Sequence, residues 1–297
     1  MDFGEIIGND KNKEFLRKII KKNNIPHSYL FVGIQGIGKK LIAMEFAKML
    51  LCENDNRPCE TCKSCLTFEN SNNPDFFEID AEDRSIKIEQ IRNMGQKILE
   101  KPIVSNKKVY IINDSEKMTV EAQNCLLKIL EEPPQYVVII LITSNESKLL
   151  STIKSRCIKL NFEKICDDEV EKFLLKNETV DKVDRNLVSI CEGSLLKATQ
   201  LKGNIDNYYD TKKFIEKLEN DDLVEAMREV RQLGKEKNEL FLVLEYMNII
   251  IYNKEYFNCI KYIEEAKSRL ILNNNVDMTM DNLVLKVWED INENNRS

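Results

Sequence analysis

Five short apolar runs punctuate the first half of the chain: YLFV at 29–32, DFFEI at 75–79, KVYIIN at 108–113, VVIILIT at 137–143 and CIKLNF at 157–162. They carry little polar alternation, the pattern of strands whose two faces are both covered by packing layers. Between them apolar residues recur at three- and four-residue spacing, which predicts helices over 39–51, 86–99 and 120–131. The last is marked at both ends, by Thr119 as a capping residue, Glu121 in the first turn, and Pro133 and Pro134 beyond. Its Leu126, Ile129 and Leu130 are expected to face the sheet. Strand alternating with helix predicts an α/β fold, a mostly parallel sheet with helices on both faces.

Beyond about residue 165 the strand-like runs stop and the pattern is helical, punctuated once by CEGSLLKA at 191–198. Three parts are therefore expected: 1–165 as an α/β domain, 166–205 as a small helical domain, and 206–297 as a second helical domain. The longest apolar stretch, LFLVLEYMNIIIY, is broken by Glu245 and Asn248 and is too short to span a bilayer, so it reads as a buried helix. No internal repeat is evident.

A length of 297 residues suits two or three domains. The net charge of −6 supplies no global basic field, so any DNA contact has to be local or shared with partner subunits. His27 is the single histidine, which argues against a catalytic triad or a multi-histidine metal site. The opening MDFGEIIGNDKNKEFL lacks the basic end and apolar run of an export signal. A cytoplasmic protein is expected, its nine cysteines reduced thiols or metal ligands.

FVGIQGIGKKL, at 31–41, follows a strand and opens a helix, the setting in which a glycine-rich loop turns backbone N–H groups toward phosphate. Gly33, Gly36, Gly38 and Lys39 supply such a cradle; a chance glycine turn is the alternative. Lys40 stands where a hydroxyl normally holds magnesium, and its charge opposes a metal. Asp114 in VYIINDSEKM is a candidate acidic strand end, or simply the start of a turn. Thr143 closes the fourth apolar run, and the cradle keeps ATP or ADP as candidate ligands.

CENDNRPCETCKSC gathers Cys52, Cys59, Cys62 and Cys65 in one segment. Four sulfurs converging from turns suit tetrahedral zinc with no open position, hence a structural site over 52–65. A redox or labile thiol cluster is the alternative. Cys125, Cys157, Cys166, Cys191 and Cys259 lie in apolar contexts and are expected in cores.

HSYLFVGIQGIGKK, VYIINDSEKMTVEAQNCLLKILEEPP, TSNESKLLSTIKSRC and GSLLKA together resemble, in order and spacing, AAA+ subunits of the bacterial DNA polymerase III clamp loader. The similarity spans residues 1–200 or so and looks more like the delta-prime kind than the ATP-hydrolysing gamma/tau kind. Three departures carry that choice: Lys40 at the magnesium position, Ser115 where active relatives have a catalytic glutamate, and Leu196 where they have a phosphate-sensing arginine. The resemblance implies a P-loop AAA+ domain, a helical lid and an all-α collar, with Thr143 at the polar sensor position and little intrinsic ATPase or magnesium-dependent hydrolysis. It implies that Arg156, in KSRC, acts in trans as an arginine finger on a neighbour's γ phosphate; without the resemblance, a surface ion pair would be favoured. It implies zinc in the cysteine module. Implied partners are gamma/tau and delta subunits in a hetero-oligomer, with the sliding clamp and primer-template DNA engaged by the assembly. Competing readings are an active gamma/tau-like ATPase and a stand-alone zinc-containing DNA-binding protein.

Overall fold

Each of the five apolar runs is a strand in the computed structural model, which describes residues 3–4, 6–175, 185–220, 223–230 and 237–294. Helix α1 (Asp10–Lys22) leads to β1 (Ser28–Val32), α2 (Lys39–Leu51) and the short α3 (Lys63–Glu69). Then follow β2 (Phe76–Ile79), α4 (Ile88–Lys97), β3 (Lys108–Ile112), α5 (Val120–Glu131), β4 (Val137–Thr143), the one-turn α6 (Ser151–Lys154) and β5 (Ile158–Asn161). The strands form one sheet in the order β2-β3-β4-β1-β5, and every pairing is parallel. Parallel neighbours need crossover connections, and the helices between the strands supply them.

The alternation of side chains along each strand divides the core in two. Tyr29, Phe31, Ile111, Val138 and Ile140 pack with Ile42, Ala43, Phe46 and Leu50 of α2 and Leu16 of α1. Leu30, Tyr110, Ile112, Ile139 and Leu141 face the other way, onto Ile91 and Met94 of α4 and Leu126 and Leu130 of α5. Every residue of β4 is buried, which is why its sequence shows no polar alternation. The Thr119 hydroxyl accepts the N–H of Ala122 at 3.2 Å and starts α5 as expected. Ile129 is only partly buried and lies against this layer near Gly95 of α4.

Helix α4 is shorter than its apolar periodicity. Ile86 is held in an extended bridge with Met118, donating to Lys117 O at 2.9 Å and accepting from Thr119 N at 3.0 Å, so the helix begins two residues later. At the far end the buried Lys108 ammonium bonds the carbonyls of Lys97 at 2.8 Å and Glu100 at 3.0 Å. The segment after α4 is fixed by Asp75, whose fully buried carboxylate accepts the N–H groups of Ile103, Val104 and Ser105, each at 2.7 Å.

The chain divides into two compact units, Met1–Val170 with Gly193–Leu196, and Glu171–Glu192 with Lys197–Ser297. The helices after the sheet are α7 (Asp167–Leu175), α8 (Arg185–Cys191), α9 (Leu195–Gly203), α10 (Ile205–Glu219), α11 (Leu223–Val230), α12 (Lys237–Asn253), α13 (Phe257–Ile271) and α14 (Val276–Asn294). In the second unit the long apolar stretch is α12, with Leu240, Val243, Leu244, Tyr246, Met247, Ile250 and Ile251 buried. Phe214, Leu218, Ile263, Val284 and Val287 from α10, α13 and α14 are buried as well. None of the described helices is long and apolar enough to cross a membrane.

Leu126→Ala is expected to destabilise the first unit by about 2–5 kcal/mol, from lost burial and the cavity left behind. Val120→Ala, at a 58% exposed position, is expected to change stability by no more than about 0.5 kcal/mol, both variants being compared with the unaltered chain by urea titration. Asp75→Asn replaces a buried acceptor of three N–H groups with a group that itself carries donors. A loss of about 2–4 kcal/mol is expected, with faster amide hydrogen exchange at Ile103, Val104 and Ser105.

Candidate functional site

The glycine-rich loop leaves β1 at the carboxyl end of the sheet, beside β4 on one side and β5 on the other. This is where ligands bind in open parallel sheets. Gly33 N–H donates to Thr143 O at 3.2 Å, and Phe162 N–H donates to Val32 O at 2.7 Å, so the start of the loop is tied to both neighbouring strands. Gly36 has a positive φ of 82° and also no room for a side chain: a Cβ there would lie 2.1 Å from Ser194 Oγ and 2.6 Å from Leu196 Cβ. The segment around Leu196 is in fact bonded to the loop, with Leu195 and Leu196 N–H donating to Gly36 O at 2.9 and 3.3 Å. The side chain that arrives with it carries no charge.

Lys39 is buried, and its ammonium turns back to bond the carbonyls of Gly33 at 2.8 Å and Ile34 at 2.7 Å. Burial lowers its pKa from the ordinary value, against the opposing pull of Glu116 and Asp114. Lys40 points to the edge strand and pairs with Glu78. Burial disfavours its charge, but the hydrogen bond and charge of Glu78 outweigh that and raise its pKa.

Across the loop, Asp114 takes a left-handed conformation at φ 45° and pairs with Lys117 at 2.7 Å. Ser115 is fully buried, donating its hydroxyl to Ile142 O at 3.0 Å, and holds no acid at that position. The acid one residue on is committed elsewhere. Glu116 Oε2 accepts Thr143 Oγ1 at 2.8 Å, and its other oxygen accepts the N–H of Ser144 at 3.2 Å and the Ser144 hydroxyl. Burial would raise the Glu116 pKa, but these hydrogen bonds outweigh it and lower it. The Glu116–Thr143 pair escaped sequence reading, because helix α5 and most of β4 lie between its members.

Arg156 lies just after α6, away from these groups in the sequence and bonded to none of them. Its guanidinium, 35% exposed, pairs with Glu131 at 2.9 Å and donates to Thr152 O at 3.0 Å, while its carbonyl accepts the Ser28 hydroxyl at 2.6 Å. The backbone is thus held to β1, and the charged end reaches solvent.

The four clustered cysteines do converge. Their sulfur atoms all lie within 4.8 Å of one another. A tetrahedral ion with Zn–S bonds of about 2.3 Å needs sulfurs about 3.8 Å apart, so the cluster fits zinc with little adjustment. Cys52 ends α2 and Cys62 caps α3. Cys62 N–H donates to Cys59 Sγ at 3.3 Å and Cys65 N–H to Cys62 Sγ at 3.4 Å, the kind of donor that stabilises a ligating thiolate. The N–H groups of Thr61 and Cys62 bring the Cys59 pKa down to about 5, whereas burial pushes Cys65 up to about 12. Lys48 of α2 pairs with Glu69 at the end of α3 and joins the module to the sheet domain. Of the other cysteines, Cys191 and Cys259 are buried as expected and Cys125 and Cys157 half-buried. Cys166 is not in a core: it is exposed just ahead of α7, its thiol 3.4 Å from Glu169 Oε2.

Residues 8–166 match the sequence family described as DNA polymerase III, delta subunit. The chain is 30% identical to the DNA polymerase III subunit delta' of Bacillus subtilis over 93% of its own length and 95% of the relative's. It is 34% identical to the subunit tau/gamma of Haemophilus influenzae over 65% of its own length, but spans only 28% of that longer chain. Among solved structures, a DNA polymerase III gamma subunit-related protein of Thermotoga maritima superposes with a TM-score of 0.53 at 21% identity, over 93% of this chain and 99% of that one, a likeness of fold. The P-loop sheet, the motif order and an end-to-end relative agree: the chain belongs to the DNA polymerase III delta-subunit family, clamp-loader subunits of the replication machinery.

Proposed function

We propose that this chain is a delta-prime-type clamp-loader subunit that does not cleave ATP itself and supplies Arg156 to a neighbour's nucleotide. The observation that carries this reading is the internal bonding of the nucleotide loop. Lys39 is held by Gly33 and Ile34 carbonyls, Lys40 by Glu78, and Glu116 by Thr143 and Ser144. Phosphoryl transfer needs a bound metal, a water-orienting group and a cation for developing charge. At the corresponding positions here stand Lys40, Ser115 and Leu196, none of which has that chemistry. ATP or ADP entering the loop has first to displace the bonds of Lys39.

Arg156 is placed differently. An ion pair as exposed as that with Glu131 is worth only about 0–1 kcal/mol, so a multiply charged phosphate from an adjoining subunit can draw the guanidinium away. Its planar fork suits equatorial phosphoryl oxygens. In this reading gamma/tau and delta subunits are the partners in a cytoplasmic hetero-oligomer. The assembly opens a sliding clamp and places it on primer-template DNA. Residues 1–165 form the AAA+ domain, 166–205 a lid, and 206–297 a collar that packs against other subunits. Gly33, Gly36, Gly38, Lys39, Lys40, Asp114 and Thr143 are the remains of a nucleotide site. Similarity to tau/gamma chains favours a second reading, an active ATPase, which Lys40, Ser115 and Leu196 oppose.

The cysteine module completes the proposal: Cys52, Cys59, Cys62 and Cys65 hold one structural zinc, which joins the end of α2 to α3. With four protein sulfurs it has no position for a substrate.

In a complex reconstituted with gamma/tau and delta subunits, Arg156→Ala is expected to leave assembly intact and to slow the hydrolysis that depends on this subunit, on the order of 10³-fold. Unchanged steady-state turnover and clamp loading with that variant would refute the role. Elemental analysis of the purified chain is expected to give about one zinc per chain. Cys62→Ser should lower that content and the melting temperature together; a metal-free native protein of unchanged stability would contradict it.

A further inference from the structure

Strand β2 is the last strand of the sheet, and among the described residues nothing pairs with its outer side. Val109 N–H donates to Asp75 O at 2.9 Å and Asn113 N–H to Ile79 O at 3.0 Å. The two-residue period of a parallel ladder then aims the N–H and C=O of Glu78 away from the sheet. Such an edge is a template for another strand, and proteins usually blunt it by covering it or keeping it short. Here a groove of about 400 Å³ runs beside it, lined by β2, the residues that follow it and one face of α4.

The groove is built to receive a side chain. Its walls include Phe77, Tyr110 and the buried Met94. The Phe77 and Tyr110 rings are stacked at 4.8 Å and 12°, with the Lys97 ammonium 5.5 Å from the Phe77 centroid. Gln90 Nε2 donates to Asp80 O at 3.0 Å and holds the end of the strand against α4. The rim carries the exposed Asp80 and Glu82, and Glu78, whose side chain is 25% exposed. Lys40 partly offsets Glu78, and Asn113 Nδ2 donates to Asp80 Oδ1 at 3.1 Å. Among the described residues, Glu82 has a backbone bridge alone and Lys97 is the one cation lining the groove.

We propose that this edge and groove form a docking site for a basic, extended peptide segment of a partner protein, added as a sixth strand beside β2. Main-chain bonds to Glu78 give the segment its direction. Alternate side chains then enter the groove, an apolar one resting on Phe77 and Met94 and a basic one two residues along meeting Asp80 and Glu82, while those between them turn to the other face. The four residues of β2 match a docked stretch of about four residues, since strands advance about 3.3 Å per residue. The charge of the rim selects against nucleic acid, whose phosphates would face three carboxylates. This site shares the Lys40–Glu78 ion pair with the nucleotide loop, but it rests neither on the proposed loss of ATP cleavage nor on the role given to Arg156.

The test is fluorescence anisotropy on the full chain, with a labelled peptide of repeating valine–serine–lysine–serine as the probe, so that valine and lysine fall on one face. Saturable binding that weakens with added salt is expected. Methylating alternate peptide nitrogens, which removes the strand's N–H donors, should abolish it. The double variant Asp80→Lys, Glu82→Lys alters exposed side chains and should weaken it about tenfold or more. Equal affinity for the same peptide with glutamate in place of lysine, indifference to N-methylation or no saturation at millimolar peptide would each overturn the proposal. The methylated peptide is measured on the unaltered chain, so it decides the matter even if the double variant folds poorly.

Discussion

The position of β1 is the constraint on which the first unit is built. Hydrogen-bonded to β4 and β5 and covered on both faces, it delivers Gly33 to the carboxyl end of the sheet with little freedom. From there the chain must turn into α2 within six residues, and it does so through the positive-φ glycines Gly36 and Gly38. A loop of this shape gathers unpaired carbonyls and N–H groups into one small volume. They have to be satisfied by a ligand or by the protein. In this chain the protein satisfies three of the carbonyls: Lys39 bonds those of Gly33 and Ile34, and Leu195 and Leu196 bond that of Gly36.

That closure sets the electrostatics around it. Glu116 sits among hydroxyl and amide donors that stabilise its charge, while Asp114 pairs with Lys117 and Glu78 with Lys40. Arg156 is likewise joined to a carboxylate at the surface, on a backbone anchored to β1. The bonds Lys39 makes within the loop, and a guanidinium held at the surface by a single carboxylate, are the observations behind the proposed division of labour between this chain and a neighbour.

Much of the fold was legible in the sequence because it rests on local signals. The helices over 39–51 and 120–131 begin and end where their glycine, threonine and proline neighbours say, and β4 is buried throughout, as an unbroken apolar run requires. The convergence of the four cysteine sulfurs was also legible, since all lie within one short segment. Signals that depend on distant partners were not. Nothing in DFFEI indicates that Asp75 stays outside the strand to bind N–H groups 28 to 30 residues away. The apolar period of α4 runs on through Ile86, which a bridge to Met118 holds extended, and the apolar setting of Cys166 in the sequence does not reveal its exposure. In the candidate site the motif supplies the residues, but only the folded arrangement shows that Glu116 faces Thr143.

A single-turnover experiment on the isolated chain, in excess over γ-labelled ATP with magnesium present, separates a closed loop from a working one. No release of labelled phosphate above the protein-free control is expected, whether or not nucleotide is retained. Release that depends on magnesium and disappears in Lys39→Ala would contradict this, because the loop would then be a functioning catalytic site.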